Sequence, residues 1–170
     1  DYMSNVSLQL HFHDYLNKHT EGLRGCQRSA LESFVDYRKA ESTERSFLVN
    51  LPTGAGKTGV ITLISHLCDE SRVLVVCHRK AVKSQLHREI SKKFFRHTLN
   101  DSEIELKATY RDNDFNQGGG IYITTFQKLS TLDDSSLTEV QASFDLIIVD
   151  EGHSEPSPVW REIIRQSKAV

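Results

Sequence analysis

The chain has 170 residues, of which 38% are hydrophobic, and a formal net charge of −2. This length and apolar content suit one domain with a buried core and exclude a disordered chain. The small net charge excludes a globally basic nucleic-acid binder. We find no apolar run of membrane-spanning length and no signal peptide within residues 1–20, so we expect no membrane segment and a cytoplasmic location.

The cysteines Cys26, Cys68 and Cys77 form neither a C-x-x-C pair nor a zinc-ligand spacing. We therefore predict reduced, mostly buried thiols and no disulfide framework.

Hydrophobic periodicity predicts an alternation of helices and strands. In chain order the predicted elements are a helix over Gly25 to about Lys39, a strand over Ser46–Leu51, a helix through Val60–Leu67, a strand over Arg72–Cys77, a helix through Val82–Phe94, a weaker strand over Ile104–Ala108, strands over Gly120–Thr124 and Phe144–Val149, and a last helix around Trp160–Ile164. The polar, glycine-rich stretch Arg111–Gly120 is typical of an exposed loop. This alternation predicts an α/β fold, a parallel sheet with helices on both faces, whose ligands bind at the carboxyl ends of the strands.

The motif LPTGAGKT, which ends at Thr58, lies between a predicted strand and a predicted helix. Gly54 and Gly56 let the backbone curl so that several N–H groups point at one spot, and the following helix adds the positive end of its dipole. We predict that Gly54, Ala55 and Gly56 all contact the nucleotide. Lys57 would reach the β- and γ-phosphates of a nucleotide, and the Thr58 hydroxyl would coordinate Mg²⁺. We refer to this segment as the phosphate loop.

Two adjacent carboxylates, Asp150 and Glu151, follow the last buried strand. Such a pair is costly beside a core unless a cation compensates it. Asp150 would hold the magnesium ion, and Glu151 would act as the general base for the attacking water. Lys57 and Asp150 each follow the end of a predicted strand, so we expect them to converge on one crevice.

A basic segment lies between His78 and His97, with seven cationic side chains and Glu89 as the one acid. The cations are Arg79, Lys80, Lys83, Arg88, Lys92, Lys93 and Arg96. This charge favours contacts with nucleic-acid phosphates, while a solvated helix face explains it equally well.

The motifs together resemble those of the superfamily-two helicases and translocases, in particular the DExH-type motor of the Res subunit of restriction enzymes. In family order they are Arg24-Gly25-Cys26-Gln27, LPTGAGKT, Val76-Cys77-His78-Arg79, Thr124-Thr125-Phe126-Gln127 and Asp150-Glu151-Gly152-His153. The likeness runs from about Leu23 to Lys168. It implies a RecA-like P-loop NTPase domain over residues 23–170, preceded by an N-terminal extension over residues 1–22.

The resemblance also implies roles for the matching residues. Gln27 corresponds to the glutamine that reads the adenine edge, which favours ATP, and His153 to the residue that links the ATP site to the nucleic-acid side. The residues that would contact the nucleic-acid backbone are His78, Arg79, Lys83, Thr124 and Thr125.

Members of this family continue into a Ser-Ala-Thr segment and a second RecA-like domain that supplies arginine fingers. Neither is found in this sequence, so we expect a domain that is incomplete at its C-terminal end. Because arginine fingers contribute about 10³ to 10⁵ in turnover, we expect the chain alone to bind ATP weakly and to hydrolyse it hardly at all.

The favoured interpretation is the ATP-binding domain of an ATP-dependent helicase or translocase that uses Mg²⁺ and acts on DNA or RNA, with DNA favoured. Two alternatives stay open at this point: a P-loop ATPase that remodels proteins, and a non-catalytic nucleotide-binding module.

Overall fold

The computed structural model describes residues 12–19, 21–40, 46–111 and 115–150. They form two compact units. The first, called the phosphate-loop unit, contains the described residues up to Asp69 together with Glu89–Leu106. The second, called the sheet unit, contains Glu70–Arg88 and the described residues from Lys107 onwards. Within these ranges no helix is long and apolar enough to cross a membrane.

The phosphate-loop unit is helical. Residues 12–18 form α1, Gly25–Lys39 form α2 and Lys57–Leu67 form α3. The helix predicted over Gly25–Lys39 is confirmed at both ends. Its apolar residues recur at helical spacing and are buried, and Phe34 packs against Phe12 of α1 with ring centroids 6.0 Å apart. A stripe of this kind buries one face of the helix and leaves the other to water.

The helix predicted through Val82–Phe94 is present but changes type along its length. Lys80–Arg88 form α4, which belongs to the sheet unit, and Glu89–Thr98 form a π-helical segment, which belongs to the phosphate-loop unit. The backbone N–H of Leu99 bonds the Phe94 carbonyl five residues earlier, at 3.2 Å. The apolar residues that predicted this helix recur every four positions, and a helix wider than the 3.6-residue α-helix accommodates that repeat.

The strand predicted over Ser46–Leu51 is wrong, because residues 46–50 are irregular. The Phe47 ring stacks on Tyr37 of α2, with centroids 4.9 Å apart and planes inclined by 22°. Leu48 is 81% exposed. An apolar run becomes a strand only where a neighbouring strand pairs with its backbone, and here aromatic contact with a helix anchors the segment instead.

The sheet unit contains four parallel strands among its described residues: β1 (Arg72–Cys77), β2 (Thr109–Arg111), β3 (Gly120–Thr125) and β4 (Leu146–Val149). Their order in the sheet is β2-β3-β1-β4. The helices α5 (Phe126–Leu129) and α6 (Asp134–Ser143) connect β3 to β4. The predicted strand Arg72–Cys77 is confirmed at both ends, and its continuous apolar run suits an interior strand of a parallel sheet. The predicted α/β class is thereby confirmed.

The weaker strand predicted over Ile104–Ala108 is also wrong, since β2 starts only at Thr109. The Asp101 carboxylate accepts the backbone N–H groups of Glu103 and Ile104, at 3.1 and 3.2 Å. This turn uses the donors that a strand starting at Ile104 would need, so pairing with β3 begins later. The described part of the predicted loop, residues 115–119, is irregular and mostly exposed, as expected.

Helix α6 was not predicted from the sequence. Its N-cap is Asp133, whose side chain accepts the Ser136 N–H at 2.7 Å. An aspartate at this position is a usual helix-start signal, but only Val140 and Gln141 of the helix are buried, so its apolar periodicity is weak.

The core of the sheet unit forms around two aromatic rings. Tyr122 and Phe144 are fully buried with centroids 5.2 Å apart, and the Arg72 guanidinium carbon lies 5.0 Å from the centre of each ring. The same guanidinium donates to the carbonyl of Gly118 at 2.8 Å. Arg72 therefore ties the loop before β3 to the core by stacking and by hydrogen bonding. As expected, the three cysteines are free thiols; Cys68 and Cys77 are buried and Cys26 is half-buried.

The phosphate-loop unit contains a buried carboxylate that joins α1 to the chain after the π-helical segment. Asp101 is 7% exposed, and its Oδ2 accepts the Tyr15 hydroxyl at 3.1 Å and lies 3.1 Å from His19 Nε2. Burial opposes the ionisation of Asp101. The Glu103 backbone N–H, the Tyr15 hydroxyl and the charges of His19 and Lys18 outweigh that burial, so the pKa of Asp101 lies below its ordinary value.

A lowered pKa in the folded state means that the Asp101 interactions stabilise the fold above the ordinary pKa of an aspartate and are lost as the pH falls through the folded value. We expect Asp101→Asn to lower the free energy of unfolding near pH 7 by about 1 to 3 kcal/mol, as is usual for hydrogen bonds to a charged group. The difference from wild type should shrink as the pH falls below about 4. Urea denaturation across this pH range measures it.

The matched control is Glu105→Gln, which removes an exposed carboxylate from the same stretch of chain. We expect this control to change stability by no more than about 0.5 kcal/mol at either pH. A stability difference for Asp101→Asn that stayed constant down to pH 3 would contradict the assignment.

Candidate functional site

The phosphate loop adopts a tight turn at the start of α3. Gly54 and Gly56 have φ values of 80° and 89°, which side chains other than glycine rarely adopt, and the Ala55 N–H bonds the Pro52 carbonyl at 3.0 Å. Gly56 is the N-cap of α3, and no side chain caps the helix. The first N–H groups of an α-helix point out of its N-terminal end, and an anion suits that position.

Three consecutive carbonyls of the loop each accept a donor from the N-terminal end of α2. Arg24 Nη1 donates to the Gly54 carbonyl, Cys26 Sγ to the Ala55 carbonyl at 3.4 Å, and Gln27 Nε2 to the Gly56 carbonyl at 2.9 Å.

These carbonyls therefore face α2. The C=O and N–H of a trans peptide point in opposite directions, so the N–H groups of Gly56 and Lys57 face away from α2. The hydrogen bonds from α2 to the loop carbonyls thus explain why these backbone amides point to the same side. In the sequence, Arg24 and Cys26 share a motif with Gln27, and this position is the signal that could have identified them as partners of the loop.

Gln27 is 4% exposed, and both ends of its amide are engaged. Its Oε1 accepts the Arg24 backbone N–H at 2.9 Å while its Nε2 holds the Gly56 carbonyl. An amide has a second N–H and a second lone pair. Contact with an adenine edge therefore stays a prediction, and the described role of Gln27 is to hold the loop.

Lys57 and Thr58 are the first two residues of α3, and both are half-exposed. A hydroxyl oxygen at this position is a hard ligand of the type that Mg²⁺ takes, and an ammonium group suits phosphate oxygens. The residues of the loop thus fit a magnesium nucleotide in their chemistry.

A cavity of about 310 Å³ lies beside the loop, between α2 and the irregular segment that leads into the loop. It is lined by Cys26, Ser29, Ala30, Ser33 and residues 47–52.

The carboxyl edge of the sheet brings together three of the predicted site residues. Val76 of β1 pairs with Thr124 on one side and Val149 on the other, so His78, Thr125 and Asp150 follow at one edge on neighbouring strands. The Asp150 N–H bonds the Val76 carbonyl at 2.8 Å, and Asp150 is 5% exposed. The sheet unit therefore presents a buried carboxylate at the edge where ligands of parallel sheets bind.

Thr124 and Thr125 lie deeper than the sequence suggested. They are 0% and 2% exposed, and Thr125 Oγ1 accepts the Lys128 N–H at 3.2 Å as the cap of α5. Their predicted hydroxyl contacts with a nucleic-acid backbone remain predictions.

The basic side chains of α4 begin directly after β1. Arg79 is exposed, Lys83 is half-buried one turn later, and His78 lies against Phe126 with ring centroids 5.2 Å apart. The sequence reading assigned no role to His87, whose pKa is lowered by burial and by the nearby charges of Arg111 and Lys83. Only the fold reveals this cluster, because Arg111 comes from a different strand.

The basic residues of the π-helical segment behave differently from one another. Lys92, Lys93 and Arg96 are exposed, but Lys93 Nζ pairs with Glu89 at 2.8 Å. Exposed pairs of this kind contribute little to stability but reduce the local positive charge. The predicted basic segment is thus distributed over both units, and α4 carries the residues adjacent to the sheet edge.

The predicted base Glu151 and the predicted linking residue His153 lie outside the described residues. Among the residues that are described, no group of three or more His, Cys, Asp or Glu side chains could hold a metal ion. A bound Mg²⁺ usually takes several of its ligands from phosphate oxygens and water.

No curated protein sequence matches the chain. The family model described as "Type III restriction enzyme, res subunit" matches residues 20–170. This match covers most of the chain, including the phosphate loop and the carboxyl edge of the sheet. The chain therefore belongs to the type III restriction enzyme res subunit family and carries a superfamily-two helicase, RecA-like N-terminal domain.

Proposed function

We propose that the chain is the ATP-binding domain of a DNA-directed helicase or translocase, which hydrolyses ATP when a second RecA-like domain completes the site. The phosphate loop is the observation that carries this proposal. Its three carbonyls are held by α2, and the amides of Gly56 and Lys57 face the opposite side at a helix N-terminus without a side-chain cap. That arrangement suits the phosphates of a nucleotide.

The roles we propose for the individual side chains follow the chemistry of phosphoryl transfer. Lys57 neutralises charge on the β- and γ-phosphates, and Thr58 and Asp150 supply oxygen ligands for Mg²⁺, which supplies electrostatic stabilisation of the transferring phosphoryl group when bound. Glu151 orients and deprotonates the attacking water. The proposal for Asp150 is supported by its position directly after β4, at the carboxyl edge of the sheet.

The nucleic-acid track is proposed to contact His78 and Arg79 after β1, Lys83 on α4, and the end of β3 at Thr124 and Thr125. Cationic and small polar groups bind phosphates without reading sequence. The family description names a restriction enzyme, and we therefore favour DNA over RNA. The proposed site for His153, between the nucleotide and the track, follows from the resemblance alone.

Lys57→Ala should weaken the binding of Mg·ATP to this chain by at least about tenfold, because it removes a charge-assisted contact worth about 1.5 to 3 kcal/mol. In a protein with a second RecA-like domain, DNA-stimulated hydrolysis should be lost. Isothermal titration and a phosphate-release assay measure the two effects. Lys39→Ala, at the far end of α2, is the control that should leave both unchanged. Unchanged affinity for Lys57→Ala would overturn the nucleotide site.

Glu151→Gln should separate binding from chemistry. The change preserves the size of the side chain and removes the base, so we expect Mg·ATP affinity to stay within a factor of about three, while turnover in the two-domain protein falls by about 10² to 10⁴. Retained turnover would favour a different base. If Lys57→Ala also left turnover unchanged, the protein would not be an ATPase of this type.

Arg79→Gln and Lys83→Gln should each reduce the salt dependence of DNA binding. Loss of one phosphate contact lowers the slope of log K against log salt by about 0.7 for single strands and about 0.9 for duplex DNA. Fluorescence anisotropy with single-stranded DNA, duplex DNA and RNA of matched length measures the slope and also identifies the track. Lys39→Gln removes the same charge elsewhere and should leave the slope unaltered. Equal slopes for all variants would exclude α4 from the interface.

A further inference from the structure

Gly59 lies in the first turn of α3 at a point where no side chain fits. A Cβ atom added there would lie 2.6 Å from Gln27 Nε2, 2.6 Å from Phe94 Cε2 and 2.8 Å from Phe94 Cζ. Glycine inside a helix costs about 1 kcal/mol relative to alanine. This cost is explained by the space that glycine leaves, because two other side chains occupy it on the surface of α3.

The two side chains that meet at Gly59 are buried. Gln27 is 4% exposed and Phe94, from the π-helical segment, is 5% exposed. The amide nitrogen and the ring carbon both lie within 2.6 Å of the same point, so they are neighbours. The Phe94 ring therefore borders the space that surrounds the amide.

The Gln27 amide is also the group that holds the phosphate loop. Its Nε2 donates to the Gly56 carbonyl at 2.9 Å, and a Cβ added at Gly56 would lie only 2.3 Å from that nitrogen. The amide thus lies against Gly56 and Gly59, and the Phe94 ring lies beside it at Gly59. Together with the N–H groups of Gly59 and Val60, which bond the same carbonyl at 3.0 and 3.4 Å, the amide holds the peptide that precedes Lys57.

We propose that Phe94 is a positioning residue of the phosphate site. Its ring confines the Gln27 amide, which fixes the Gly56 carbonyl and thereby the first N–H groups of α3. This inference rests on the proposed nucleotide site and adds a residue to it from a segment that contributes no ligand of its own.

Phe95 is the matched control. It is 1% exposed and lies in the same segment, with its ring 5.8 Å from Phe94, 5.3 Å from His66 and 6.2 Å from Tyr15. Its neighbours belong to the core and not to the loop. Phe94→Leu and Phe95→Leu remove the same atoms from the same core, so both should lower the unfolding temperature.

The test uses the 170-residue chain and two probes, Mg·ATP and magnesium tripolyphosphate, at a temperature where circular dichroism shows each variant folded. Phe94→Leu should raise the dissociation constant for both probes by about tenfold, equivalent to about 1.4 kcal/mol. Phe95→Leu should leave both within about twofold of wild type. Because tripolyphosphate has no base, equal losses for the two probes place the effect at the loop and not at the adenine.

A double-mutant cycle tests the contact itself. Gly59→Ala should weaken tripolyphosphate binding by displacing the amide and the ring, and the smaller Leu at position 94 should relieve part of that loss. Gly59→Ala combined with Phe94→Leu should therefore deviate from additivity, while Gly59→Ala combined with Phe95→Leu should be additive. If Phe94→Leu does not fold, Phe94→Met keeps nearly the same volume and serves in its place.

The measurements distinguish a failure of the proposed nucleotide site from a failure of the positioning role of Phe94. If wild type binds neither probe, the proposed nucleotide site is overturned, and this inference falls with it. If wild type binds both probes and the two phenylalanine variants lose affinity equally or not at all, the site stands and the positioning role of Phe94 is overturned. Additive behaviour in both cycles would likewise overturn it.

Discussion

The hold of α2 on the phosphate loop is the interaction on which the candidate site depends. Donors from Arg24, Cys26 and Gln27 bind three consecutive carbonyls, which leaves the intervening amides facing the other way. This requires a backbone with positive φ at Gly56 and no side chain there, because Gln27 occupies the space that a Cβ would fill. A loop held in this way is already ordered before an anion binds, so it loses little conformational entropy on binding.

The second constraint is the parallel register of the sheet. Parallel strands end at one edge, so residues distant in sequence become neighbours there. His78, Thr125 and Asp150 reach this edge because β1 pairs with both β3 and β4. β1 is buried along nearly its whole length, which makes the edge a rigid platform for the side chains that follow it. A carboxylate buried as deeply as that of Asp150 is costly to place beside a core, and the proposed magnesium ion would offset part of that cost.

The distribution of charge fits a protein with a local and not a global affinity for phosphate. The chain as a whole is slightly acidic, whereas the stretch from Arg79 to Arg96 is basic. Within that stretch Lys93 is paired with Glu89, and burial together with the nearby charges of Arg111 and Lys83 lowers the pKa of His87. Arg79 and Lys83 are the cations nearest the sheet edge, and the proposed contact of these residues with a nucleic acid agrees with membership of the res subunit family.

The sequence by itself determined the elements whose signals are local. The helix Gly25–Lys39 and the strand Arg72–Cys77 follow from periodicity, and the phosphate loop and Asp150 follow from motif chemistry and position after a buried strand. Only the tertiary structure decided features that depend on a partner. Residues 46–50 are irregular because Phe47 packs on α2, β2 starts late because Asp101 binds the chain before it, and Thr125 is occupied as a helix cap. The motif predicts that Gln27 contacts adenine, whereas in the structure its amide donates to the Gly56 carbonyl. Such contacts join residues far apart in the chain, and no local pattern encodes them.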